Sequence, residues 1–116
     1  MKEITVEKRS LTALGRELMD DARAARNGRS ARTVYGGHEH TLRQTLLALT
    51  ATSALDEHDS PGEATLLVLS GRVRLSTADT SWDGATGDHL NIPLSRHSLT
   101  AVEDSVVLLT VAKAHS

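Results

Sequence analysis

The chain has 116 residues, 39% of them hydrophobic and 24% charged, with a net charge of −2. That suffices for one domain with its own core and gives no electrostatic case for DNA or a membrane surface as a partner. Aromatic residues are 2% of the chain, Tyr35 and Trp82 alone, which excludes a base-stacking platform for single-stranded nucleic acid. Cysteine is missing, so disulfides, cysteine-ligated metals and thiol nucleophiles are excluded as well.

The N-terminal residues are charged and alternating, with no apolar signal core, and no apolar run of about 18 residues occurs. A cytoplasmic protein without a membrane span is expected. Residues 3–7 alternate apolar and polar, which suits a short strand. Leu11, Leu14, Leu18, Ala22 and Ala25 then recur at steps of three and four. This spacing predicts a helix over about 11–27, capped by Ser10 or Thr12 and stopped by Gly28. Its other face, with Arg16, Asp20, Arg23 and Arg26, is a solvated face.

From residue 31 the period becomes two. Strands are expected near 31–36, 41–51, 64–70, 72–77, 88–92, 97–103 and 105–113, with turns such as Gly36-Gly37, Ser70-Gly71 and Asp83-Gly84 between them. The charge changes with the pattern. Residues 1–43 hold nine Lys and Arg against six Asp and Glu, and residues 44–116 hold four against nine. The expected organisation is a helical arm over 1–30, a β-barrel or sandwich over 31–113 and a tail over 114–116. Residues 105–111 are apolar on both faces, so they belong mid-sheet or at a subunit interface. Together with the leucine face of the helix they predict a homodimer.

Phosphate-cradling glycine loops and nucleophile elbows are absent from the sequence. Six histidines remain: His38, His40, His58, His89, His97 and His115. Any transition-metal site must use these with Asp or Glu.

The stretches from His58 to Gly71 and from Gly87 to His97 resemble the two motifs of a small single-domain cupin. The first motif runs Gly, five residues, His, one residue, His, three or four residues, Glu, six residues, Gly. The second runs Gly, five residues, Pro, one residue, Gly, two residues, His, three residues, Asn. Position by position, the opening glycine falls on Thr52, the histidines on His58 and Ser60, the glutamate on Ala64 and the closing glycine on Gly71. In the second motif Gly87, Asp88, Ile92 and Pro93 match, Ser95 takes the middle glycine, His97 comes one residue early and Ala101 takes the asparagine.

The resemblance implies an all-β, double-stranded β-helix: a jelly-roll barrel, here preceded by one helix. It also implies a metal held by three histidines and a glutamate, of which His58 and His97 survive. A divalent metal (iron, zinc, manganese or nickel) would then be bound weakly or not at all.

Other residues could complete such a site. His38 and His40, two apart, point the same way if extended, as two ligands or as two surface histidines. Glu63 becomes a ligand only if its strand slips by one residue. Arg43 shares parity with Leu47 and Leu49. It reaches into the barrel as an anion anchor, or rests at the rim with its head in water. His89 is expected to face solvent, and His115 to be idle in the tail. Trp82, beside the Asp83-Gly84 turn, should cover apolar surface at a barrel end.

Two functions follow. One is a small-molecule-binding, regulatory cupin with a degenerate metal site, its ligand held by His58, His97 and Arg43. The other is a metal-dependent cupin enzyme of dioxygenase, isomerase or epimerase type using His58 and His97.

Overall fold

The computed structural model describes residues 5–58 and 62–113, with Glu57 and His58 described by backbone alone. Ser60, His115 and the 114–116 tail lie outside the described residues.

One helix, α1 (Leu11–Ala24), comes first. Ser10 caps it by accepting the Ala13 N–H at 3.1 Å. The helix stops three residues short of the expected 27, because Ala25 turns extended while its N–H still bonds back to Asp21 and Ala22. Gly28, at φ +70°, serves the turn that follows. The strand expected over 3–7 is not formed at residues 5–7, and residues 1–4 are outside the described residues.

Among the described residues nine strands follow: β1 (Arg29–Tyr35), β2 (Leu42–Leu49), β3 (Ala54–His58), β4 (Gly62–Ser70), β5 (Arg72–Ser76), β6 (Ser81–Ala85), β7 (His89–Asn91), β8 (His97–Ala101) and β9 (Ser105–Lys113). They form two antiparallel sheets, ordered β1-β2-β9-β4-β7 and β3-β8-β5-β6. The apolar β9 lies at the centre of the larger sheet, between β2 and β4. Two strands escape the period-two reading, β3 and β6. Both are sheet edges with few apolar residues.

Strand parity divides the apolar residues between two cores. Inside the barrel, Leu47, Leu49, Leu66, Val68, Val73, Leu75, Leu99, Ala101 and Val107 pack together. Outside it, Leu46, Ala48 and Val106 of the larger sheet meet Leu18, Met19 and Ala22 of α1. The residues between them alternate, so a single sheet supports a core on each face.

The turn after β2 explains one departure from the cupin pattern. Thr52 stands where that pattern has glycine, and it adopts φ 72°. A β-branched residue is strained in this left-handed region. The strain is held by hydrogen bonds: Thr52 N–H donates to the Ala101 carbonyl at 2.8 Å, and Ala51 N–H donates to Asp104 Oδ1 at 2.8 Å. That bond, with the Arg23 guanidinium 3.1 Å away, keeps the Asp104 carboxyl below its ordinary range. Thr52→Gly is expected to stabilise the protein by about 1 kcal/mol, less than the full left-handed cost because glycine gains freedom in the unfolded chain. Urea unfolding checks this; a lower midpoint in the variant contradicts it.

Candidate functional site

One end of the barrel gathers the finish of β1, β3, β7 and β9 and the start of β2, β4 and β8. The pairings fix this: Leu42 lies opposite Ala112, Gly62 opposite Lys113, and His58 opposite His97. We call this end the mouth.

The β3–β8 pairing carries the central feature. Leu55 lies opposite Leu99, but the next paired residues are His58 and His97. Three residues are traversed on β3 against two on β8. This is a bulge, a device that re-aims residues near sites. A regular ladder would set Glu57 opposite His97; the bulge sets His58 there. Opposed α-carbons in such a pair stand about 5 Å apart, so the backbone brings the two sequence-predicted histidines together.

His97 is 4% exposed and shares the inner face with Leu99 and Ala101. Its Nδ1 lies 2.9 Å from the Ser95 carbonyl oxygen. A carbonyl only accepts, so Nδ1 carries the hydrogen. In the neutral ring the lone pair is then on Nε2, the atom that accepts a hydrogen bond or ligates a metal.

The larger sheet adds a row of inner-face residues. Arg43 of β2 pairs with Val111 of β9, which pairs with Ala64 of β4. β2 is regular from Leu42 to Leu49, and Leu47 and Leu49 lie in the inner core, so Arg43 faces inward. It is half-buried, and among the described residues no ion pair or hydrogen bond engages it. Lys113 has the parity of Val107 and Val111, and its Nζ donates to the Gly37 carbonyl at 2.5 Å. No motif marks Lys113 in the sequence, although the strand parity of β9 runs on to it.

The remaining candidates lie elsewhere. Glu63 is exposed on the outer face, and β4 pairs with β9 without a break from Gly62 to Val68, so no slip turns it inward. His38 is exposed in the β1–β2 connection. His40 meets Tyr35 edge-on at 5.3 Å and borders an outer groove of about 810 Å³ with Val6, Arg9 and Leu108. A second groove of about 670 Å³ runs between α1 and the outer sheet face. Both are open surface features outside the barrel, and His97 and Arg43 line neither. His89 and Asn91 are exposed. Trp82 of β6 is 45% exposed and lies opposite Leu75 of β5.

These residues do not fit a metal centre of three histidines and a glutamate. Among the described residues no three His, Asp or Glu gather. Position 64 offers a buried methyl where the pattern has a carboxylate, and Arg43 adds a fixed positive charge to the same row.

Solved structures share this architecture. A conserved protein of unknown function from Streptococcus pyogenes superposes with TM-score 0.70 at 27% identity, over 79% of this chain and 80% of its own. An RmlC-like cupin from Desulfovibrio desulfuricans matches 97% of this chain and 96% of its own, with TM-score 0.66 at 22% identity. A cupin superfamily protein from Desulfitobacterium hafniense matches 74% of this chain and 78% of its own, with TM-score 0.68 at 15% identity.

The chain has the cupin fold.

A scan against protein-family models gives no match, and neither does a comparison with curated proteins. The likeness is therefore one of fold, and positions 52, 60, 64 and 95 differ from the cupin pattern. Among the described residues no helix is long and apolar enough to cross a membrane.

Proposed function

We propose that this cupin is a small-molecule-binding protein, cytoplasmic and regulatory rather than catalytic, whose ligand sits in the mouth between His58, His97 and Arg43. The observation that carries this reading is the β3 bulge, which opposes His58 to a buried His97. A barrel mouth is a common ligand site. Here its walls are Leu66, Leu99 and Val111, all buried, with few polar groups to fix orientation. A homodimer belongs to the same proposal, its contact surface being the half-buried Leu67 and Leu108 on the outer sheet face.

The competing reading, a metal-dependent enzyme, draws on the Nε2 lone pair of His97, a suitable metal ligand or general base. Metal analysis of the purified protein separates the two. We expect zinc, iron, manganese and nickel well below one equivalent per chain, and no retention after dialysis. One tightly held equivalent, lost in His58→Ala and His97→Ala, supports the enzyme instead. Tight metal that survives both substitutions shows that the site lies elsewhere.

A further inference from the structure

Resting on the small-molecule reading above, we infer that the mouth is built for an anion: a ligand with an apolar body and one carboxylate or phosphate group, which the Arg43 guanidinium pairs.

Arg43 is the starting point. Its side chain enters from β2 on the inner face, half-buried, with no partner among the described residues. A guanidinium stays charged at every relevant pH, so it cannot escape desolvation by losing its proton. Partial burial without a counter-charge is unfavourable, and an incoming anion removes that penalty. The fork of N–H donors matches the two oxygens of a carboxylate or phosphate.

Among the described residues, no protein anion on the inner face does this instead. Inner-face positions on β2, β9, β4, β7 and β8 include no Asp or Glu. Glu63 faces outward, and Asp56 of β3 and Arg96 beside β8 are exposed. Lys113 of β9 is a second inner-face cation at this rim. Ala64 lies in the row of Arg43 across one intervening strand, about 10 Å away along the sheet. A methyl there leaves the carboxylate to be supplied by the ligand.

The apolar part of the ligand has a matching wall. Val111 lies in the Arg43 row itself and Leu66 one row further in, with Leu99 on the facing sheet. A small inorganic anion would leave this wall unused, so an amphiphilic organic acid fits better.

The test is calorimetric titration of the full-length protein with benzoate, phenyl phosphate and the neutral benzamide. Benzoate or phenyl phosphate should bind at least tenfold more tightly than benzamide, and the stronger of the two identifies the acid group. Arg43→Gln should remove about tenfold or more of that affinity. Arg43→Lys should restore part of it, and neither Arg43 variant should melt below the parent, because Arg43 has no partner among the described residues to lose.

Equal binding of benzoate and benzamide, unaffected by Arg43→Gln but weakened by His97→Leu, overturns the anion inference and leaves the small-molecule reading standing. Saturable binding of none of the three at millimolar concentration overturns both.

Discussion

Gly71→Ala is expected to destabilise the protein by about 3 to 5 kcal/mol, the sum of left-handed strain and overpacking. Gly71 joins β4 to β5 at φ +90°. A Cβ there would lie against the Asp104 carbonyl oxygen and the Ser105 hydroxyl, and 2.8 Å from Ser105 Cα. These are not flexible side-chain ends. Ser105 is fully buried, and its hydroxyl accepts the Arg72 N–H at 3.0 Å while facing the Glu103 carbonyl at 2.8 Å. Making room for a methyl therefore means moving the β8–β9 turn or breaking these bonds.

Gly87 supplies the control. Its φ is +89°, yet nothing lies within 4 Å of the position a Cβ would take. Gly87→Ala should carry the conformational cost alone, about 1 to 2 kcal/mol. At about 4 °C per kcal/mol for a domain of this size, Gly71→Ala should melt about 12 to 20 °C below the parent, and Gly87→Ala much less. Equal shifts in the two variants would show that crowding at Gly71 contributes nothing.

Both glycines belong to the motifs that made the fold legible. The physical reason is that turns of this kind leave backbone marks that survive when side-chain chemistry changes. Positions 60 and 64, where the cupin pattern has metal ligands, hold Ser and Ala, but Gly71 and Gly87 match the pattern and are left-handed, and Thr52, where the pattern has glycine, is left-handed as well. α1 and β9 were legible for a different reason. α1 buries one face long enough to impose a period, and β9 is covered on both faces and so reads as an unbroken apolar run.

The site was only partly legible. His97 and Arg43 follow from strand parity once β8 and β2 are placed. The opposition of His58 to His97 depends on a bulge in β3, an edge strand whose one large apolar residue is Leu55. No periodicity marks such a strand, and a regular ladder would have put Glu57 in that place. Lys113 was visible in the alternation of β9 but carries no motif to single it out.

The two-core arrangement leads to the second large effect. Leu18 is 1% exposed and sits at the centre of the outer cluster, between α1 and Leu46, Ala48 and Val106. Leu18→Ala should cost about 3 kcal/mol, from lost transfer energy and the cavity left behind. The loss should fall unevenly on the molecule. A helix of 14 residues is not stable in water without a packed face, whereas the inner cluster of Leu66, Val68, Leu75 and Val107 does not involve α1. The lone tryptophan, Trp82, lies on β6 of the other sheet and reports on the barrel.

In the parent, urea unfolding followed by helical circular dichroism and by Trp82 fluorescence should give coincident transitions, as a cooperative domain requires. In Leu18→Ala the helical signal should be lost at a lower urea concentration than the fluorescence signal. Coincident transitions in Leu18→Ala would mean that α1 and the barrel form one cooperative unit through the shared larger sheet.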